Sequence, residues 1–252
     1  MFGRKLLNVS LLFSLALVSV FGFTGSGASA KSEEAQVKST GVYYDEESGQ
    51  IITSIYRLTE NGAKEISFDE FKKIKKDAEL KEKLNKDMNS NLNHQSLAAP
   101  SFSLQTISEY VQTNFSESWY DTPKVVTTPY ACPSNHPNPG CPESFSYALT
   151  AGESYTFGID YTMMSKIKIA ANRQWNTSAT VSATYGMVIP PGKTGYLKFM
   201  SENVYSSGTG KTFALQPSGL YKTIFDGYVY GYAPKKLSSG QLAGIIYGVI
   251  NP

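Results

Sequence analysis

Alternate positions from Tyr155 to Ile189 carry mostly apolar side chains. Tyr155, Phe157, Ile159, Tyr161, Met163, Ser165, Ile167, Ile169 and Ala171 share one parity, and after Asn172-Arg173-Gln174 it resumes in Trp175, Thr177, Ala179, Val181, Ala183, Tyr185, Met187 and Ile189. The other parity holds Thr156, Gly158, Asp160, Thr162, Lys166 and Lys168, then Asn176, Ser178, Thr180, Ser182 and Thr184. Such alternation describes a strand with one apolar and one polar face. Two such runs joined by a short polar loop predict a long antiparallel hairpin over 155–189. Its arms exceed the usual strand of about 5–6 residues and the roughly 9–11 residues that cross a membrane. An apolar side for lipid and a hydroxylated side for water suit a transmembrane barrel, with Lys166 and Lys168 towards the lumen. A half-buried sheet in a soluble sandwich alternates in the same way.

Around this hairpin the pattern predicts a mainly β protein: an elongated antiparallel β-sandwich preceded by a small α+β unit. Val42–Tyr44 and Ile51–Leu58 form a first hairpin, and Asn61-Gly62 a second turn. Ser67 and Glu70 make a capping box, with Ile66 and Phe71 as its hydrophobic staple, for a helix running to about Met88. Phe71, Ile74 and Ala78 lie on one stripe of that helix, whereas Leu80, Leu84 and Met88 drift off it. Ile107 to Phe115 fits a short helix and a strand equally. Lys124–Tyr130, Phe145–Leu149 and Tyr196–Met200 read as strands. Ala151-Gly152 turns into the long hairpin, and Pro190-Pro191-Gly192-Lys193 closes it, because proline cannot donate to a central ladder. Asp226-Gly227 predicts a turn between strands 220–225 and 228–232. The last run, Gly244–Ile250, is apolar on both faces, as an interior strand is.

Composition divides the chain. The front, 31–88, is rich in Lys, Asp and Glu; the back, 105–252, is rich in Tyr, Ser, Thr and Gly. Between them, 89–104 is an Asn/Ser-rich linker. The front unit reads as a small domain and also as a removable pro-region. Residues 1–30 read as a signal peptide: Arg4 and Lys5, the apolar run Leu11–Phe23, and a small-residue site at Ala28-Ser29-Ala30. The expected location is therefore secreted. The formal net charge of +2 resides in the signal, so the electrostatic footprint of a nucleic-acid binder is missing. In a secreted chain Cys132 and Cys141 predict a disulfide closing a small loop. His136 lies within that loop, but the only other histidine is the distant His94, short of a zinc ligand set. No metal and no cofactor are expected.

Catalytic signatures are sparse. Neither histidine has a recognisable nucleophile beside it, there is no G-x-S-x-G, and the back unit's carboxylates are scattered. Asp160 stands out on a mostly uncharged polar face. Ser207-Gly208-Thr209-Gly210-Lys211-Thr212 resembles a phosphate loop but has Tyr205 where the first glycine belongs, and is expected to be a glycine-rich hairpin turn. Tyr228, Tyr230 and Tyr232 share a strand face, as a sugar-binding or membrane-interface surface would and as a buried cross-strand ladder would.

The run Asn176-Thr177-Ser178-Ala179-Thr180-Val181-Ser182-Ala183-Thr184, with Val188-Ile189-Pro190-Pro191-Gly192-Lys193-Thr194-Gly195-Tyr196-Leu197-Lys198-Phe199, resembles the aerolysin-like β-pore-forming toxins of the epsilon-toxin and mosquitocidal-toxin branch. The resemblance covers about 155–200. It implies a hydroxyl-rich amphipathic hairpin stored on a soluble β body and inserted by homo-oligomers. Tyr155, Phe157, Ile159, Lys166, Ile167, Lys168, Val181 and Tyr185 would be its membrane-hairpin residues. Two departures stand: the arms are joined by a tight loop, so scaffold and tongue are the same residues, and no receptor-binding domain is evident. The expected function is a secreted, non-enzymatic, membrane-active protein. The alternative is an extracellular carbohydrate- or cell-wall-binding sandwich using Tyr228, Tyr230 and Tyr232; an exported hydrolase ranks behind both. Expected partners are membrane lipid or cell-surface glycan, and further copies of the chain.

Overall fold

The computed structural model describes residues 41–92, 105–156, 159–171 and 175–251, which lie in one compact unit spanning Ser39–Pro252. The expected signal peptide and positions 93–104 of the linker fall outside the described residues. In chain order the elements are β1 (Val42–Asp45), β2 (Gln50–Thr59), β3 (Gly62–Glu65), α1 (Phe68–Leu92), β4 (Thr106–Tyr120), β5 (Lys124–Val125), β6 (Tyr130–Ala131) and β7 (Cys141–Gly152). There follow β8 (Ser154–Tyr155), α2 (Tyr161–Ala170), β9 (Ser178–Ile189), β10 (Thr194–Leu215), β11 (Tyr221–Pro234) and β12 (Gly244–Asn251). The protein is mainly β, built of antiparallel sheets.

The spine is β10. Residues 194–201 lie between β12 on one edge and the short β5 and β6 on the other. From Glu202 onwards β10 lies between β4 and β11. The sheet continues from β12 to β2, which pairs with β1 and β3 on its far edge. The front residues that composition sets apart are thus hydrogen-bonded, through β2, to the last strand of the chain.

Alternation explains how this sheet is covered on both faces. The odd residues of β12, Ile245, Tyr247 and Val249, pack with Ile52, Ile55, Tyr196 and Met200 against Phe71 and Ala78 of α1. Its even residues Ile246 and Ile250 pack with Leu197 and Phe199 against the two-stranded sheet of β7 and β9. The helix starts as its signature requires: the Glu70 N–H donates to Ser67 Oγ at 3.2 Å, and Ile66 and Phe71 are both buried. Leu80 and Leu84 are exposed, as their drift off the stripe predicts.

Several expectations are corrected. Residues 155–189 are not one hairpin: 161–170 is a helix, and the partner of β9 is β7, in register from Cys141↔Ile189 to Gly152↔Ser178. The reason is that Met163, Ile167 and Ala171 recur every four residues. This places them on one helical face as well as on one strand parity, and all three are buried. Asp160 settles the choice locally as N-cap, its side chain accepting from the Met163 N–H at 2.7 Å. Consequently Ala151-Gly152 is not a turn but the end of β7. Asp226-Gly227 is not a turn either; it lies inside β11, where Asp226 faces Lys211 across the ladder at 3.0 Å. Nor does 207–212 turn: it is the middle of β10, and the reversal comes at Pro217-Ser218-Gly219, with Gly219 at φ 79°. Ile107–Phe115 resolves as strand, within β4.

Candidate membrane-active ribbon

The two-stranded sheet carries the hydroxylated amphipathic pattern in its observed form. On its outer face Ser144, Ser146, Thr150, Thr180, Ser182 and Thr184 are exposed. Thr150 and Thr180 hydroxyls meet at 2.8 Å and those of Ser146 and Thr184 at 3.3 Å, across the strands. On its inner face Phe145, Tyr147, Val181, Tyr185, Met187 and Ile189 are buried against the main sheet. Tyr185 donates its hydroxyl to the Ser54 carbonyl at 2.6 Å. Burial pushes the phenols of Tyr147 and Tyr185 up to about 12.

One end of the ribbon is fixed by the Cys132–Cys141 disulfide. Within its loop His136 Nδ1 lies 3.0 Å from the Pro137 carbonyl. The other end opens into 153–177, which holds α2. Burial raises the Glu153 carboxyl, but hydrogen bonds from Lys168, Tyr155 and Trp175 outweigh it and leave the pKa lowered. Lys168 Nζ lies 3.0 Å from this carboxylate and Trp175 Nε1 donates to it at 2.9 Å. Asp160, besides capping α2, accepts from Ser108 Oγ at 3.2 Å and Thr106 Oγ1 at 3.4 Å. Met163 and Ile167 pack on Val229, with Tyr110, Tyr155, Ile159, Trp175 and Phe225 around them.

The anticipated hairpin residues are therefore distributed. Tyr155 lies in β8, paired with Gly231; Phe157 is outside the described residues. Ile159 is half-buried before α2. On α2, Lys166 is exposed, Ile167 buried and Lys168 held by Glu153. Val181 and Tyr185 are brought together on β9, on its buried face. The arm missed by the sequence reading is β7; only its Phe145–Leu149 stretch was anticipated, although Ser144 to Thr150 alternates as clearly as β9 does.

The tyrosine surface takes the form of a packed cluster. Tyr230 is 6% exposed and stacks on Tyr205, which stacks on Trp119 with ring centroids 3.9 Å apart. Tyr205 and Tyr228 hydroxyls are 2.9 Å apart, and Lys81 of α1 sits 4.6 Å from the Trp119 ring centroid. Tyr228 and Tyr232 are half-buried. Among the described residues no helix is long and apolar enough to cross a membrane, which bears on helices alone.

Fold and ribbon together define the class: a disulfide-containing, mainly β protein with an amphipathic two-stranded sheet. No protein family and no curated protein matches the chain in sequence. Two solved structures show a distant likeness. One is a chain of the Cry23Aa1 and Cry37Aa1 binary protein complex, 11% identical, covering 66% of this chain and 84% of that chain at a TM-score of 0.16. The other is the parasporin-2 Bacillus thuringiensis toxin that recognizes cancer cells, 12% identical, covering 58% and 72% at a TM-score of 0.18. Scores this low fall short of a shared fold. The resemblance carried by residues 155–200 has only this weak structural counterpart.

Proposed function

We propose that the protein is a secreted, membrane-active β protein in which 155–189 converts from its stored form into a continuous hairpin, inserted by an oligomer of this chain. The carrying observation is the parity of α2. Its helical fold uses Met163 and Ile167, which are buried, but leaves Tyr161 80% and Ile169 70% exposed. Those two apolar residues are largely open to solvent in the helix, yet both fall on the odd parity that β9 buries. A hairpin of 155–171 and 175–189 puts all of them on one side, together with Ser165 and Thr177, and Lys166, Lys168, Thr156, Thr162, Ser178, Thr180, Ser182 and Thr184 on the other. A helix of ten residues has little stability of its own, so α2 is held by its side-chain contacts and by Glu153 and Asp160. Releasing it gives up roughly 1.5–3 kcal/mol for each large apolar side chain uncovered, which lipid contact restores.

The test is leakage of dye from liposomes, with the chain intact and nicked within 93–104, together with a search for a detergent-resistant oligomer. Sealed liposomes and no oligomer in both forms overturn the reading. A sharper test replaces Tyr161 and Ile169 together by Lys. Exposed in the soluble fold, these changes shift stability by about 0.5 kcal/mol or less each. On the lipid side of a barrel each Lys costs about 2–4 kcal/mol at mid-bilayer and less near the interfaces. Unchanged melting with at least a tenfold loss of leakage is the expected result; unchanged leakage contradicts the hairpin.

A further inference from the structure

We infer that a cleft between α1, β1, β2, β10 and β12 is a binding site for a small oxyanion, a phosphate or carboxylate group, with Lys198 and Tyr247 as its donors. The cleft has a volume of about 340 Å³ and is lined by Asp45, Ser48, Gln50, Lys75, Lys198 and Tyr247 among others. That volume sits at the small end of ligand pockets, about 300–1,000 Å³. Most of the polar lining is already committed. Asp45 accepts from Lys75 Nζ and Ser48 Oγ, each at 2.9 Å. Gln50 donates to Tyr196 Oη at 2.9 Å and Asn251 Oδ1 at 3.1 Å, which fixes its carbonyl oxygen as the acceptor for Lys198 at 3.3 Å.

Two groups are left over. Lys198 has no carboxylate at ion-pair distance among the described residues, although Asp45 and Glu79 line the same cleft; its ammonium donates to Gln50, lies 5.9 Å from the Tyr196 ring centroid, and has further N–H donors beyond that one hydrogen bond. Tyr247 is only 2% exposed, its ring set edge-on to Phe71 at 4.6 Å. Its hydroxyl has no hydrogen-bond partner among the described residues. A phenol hydroxyl and a cationic donor lining one cleft favour an anionic acceptor over water or a neutral amide. Burial and then the neighbouring charge of Lys75 lower the Lys198 pKa, with Asp45 opposing them only in part; an anion in the cleft offsets both lowering effects. The counter-charge already present is Asp45, matched by Lys75, and Glu79, whose side chain is half-exposed and screened. Neither α2 nor β9 contributes to this site, so it stands or falls apart from the membrane reading.

The experiment titrates inorganic phosphate against the full-length secreted chain at low ionic strength, by calorimetry and melting temperature, with sodium chloride at matched ionic strength as control. A parallel arm measures co-sedimentation with phosphatidylcholine vesicles, with and without phosphatidic acid, to separate a free phosphate from a lipid headgroup. Saturable binding in either arm is expected, weakened about tenfold or more by Lys198→Met and several-fold by Tyr247→Phe, as loss of a hydrogen bond to a charged group implies. Tyr247→Phe keeps the ring and its packing, so it decides the matter should Lys198→Met misfold. Absence of saturable binding in both arms, or binding that Tyr247→Phe leaves unchanged, overturns the site.

Discussion

Asp45 shows how single residues are held at the junction of front and back. Burial alone would raise its carboxyl, but Lys75, Ser48 and the Glu47 N–H together hold it below the usual value. A depressed folded pKa contributes stability that is present above the unfolded value of about 3.9 and is lost as pH falls through the folded one. Asp45→Asn is therefore expected to cost about 2 kcal/mol at neutral pH. The difference between variant and parent should shrink below about pH 4, as urea titrations at pH 7 and pH 3 will show. At α2 the cap is the corresponding device. Removing it with Asp160→Ala is expected to cost about 1 kcal/mol, seen as faster amide exchange in 161–170 with little change in α1. Asp160 was conspicuous in the sequence as a lone carboxylate on a polar face; that it is a cap appears only once Met163 is seen to be helical.

Elements differ in how far their residues announce them. The start of α1 was legible because its cap, staple and first buried residue lie within six positions, Ile66 to Phe71, and β12 because it is apolar on both parities. α2 was not legible, since a spacing of four satisfies a helical face and strand parity together. β10 was read as separate pieces because glycines at 208 and 210 suggested a turn. Instead they admit neighbours: a β-carbon on Gly208 would lie 2.0 Å from the Val111 carbonyl oxygen, and one on Gly210 would lie 2.7 Å from Met163 Cε. Gly231 does the same for the far side of the helix, where a β-carbon would meet the Tyr155 ring at 2.7 Å. Gly231→Val is thus expected to cost about 1–3 kcal/mol through overpacking. Thermal unfolding measures this, and the displacement of β8 and α2 should appear as increased Trp175 fluorescence quenching by iodide.

For the whole molecule, the decisive contact is β2 on β12. Composition separates from 105–252 the front residues 31–88, a unit that reads both as a small domain and as a removable pro-region. Its departure would bare one edge of β12 and one face of the main sheet, including Ile245, Tyr247 and Val249. An exposed apolar edge strand recruits other strands. A chain restricted to 105–252 is accordingly expected to associate or to lose its cooperative melt, whereas a chain nicked in 93–104 should elute as one folded species. Size-exclusion chromatography with light scattering separates these outcomes.

The sequence by itself determined the class, mainly antiparallel β with a charged front helix, because alternation and capping report local burial. It also determined the disulfide, given only two cysteines nine residues apart. Tertiary structure alone decided which strand pairs with β9, that 161–170 coils rather than extends, and that Tyr230 of β11 stacks inwards on Tyr205. It also brought Lys198 and Tyr247, far from Lys75 in the chain, to one cleft. Periodicity records that a residue has a buried side, but the partner on that side is set by long-range pairing, and no local spacing encodes it.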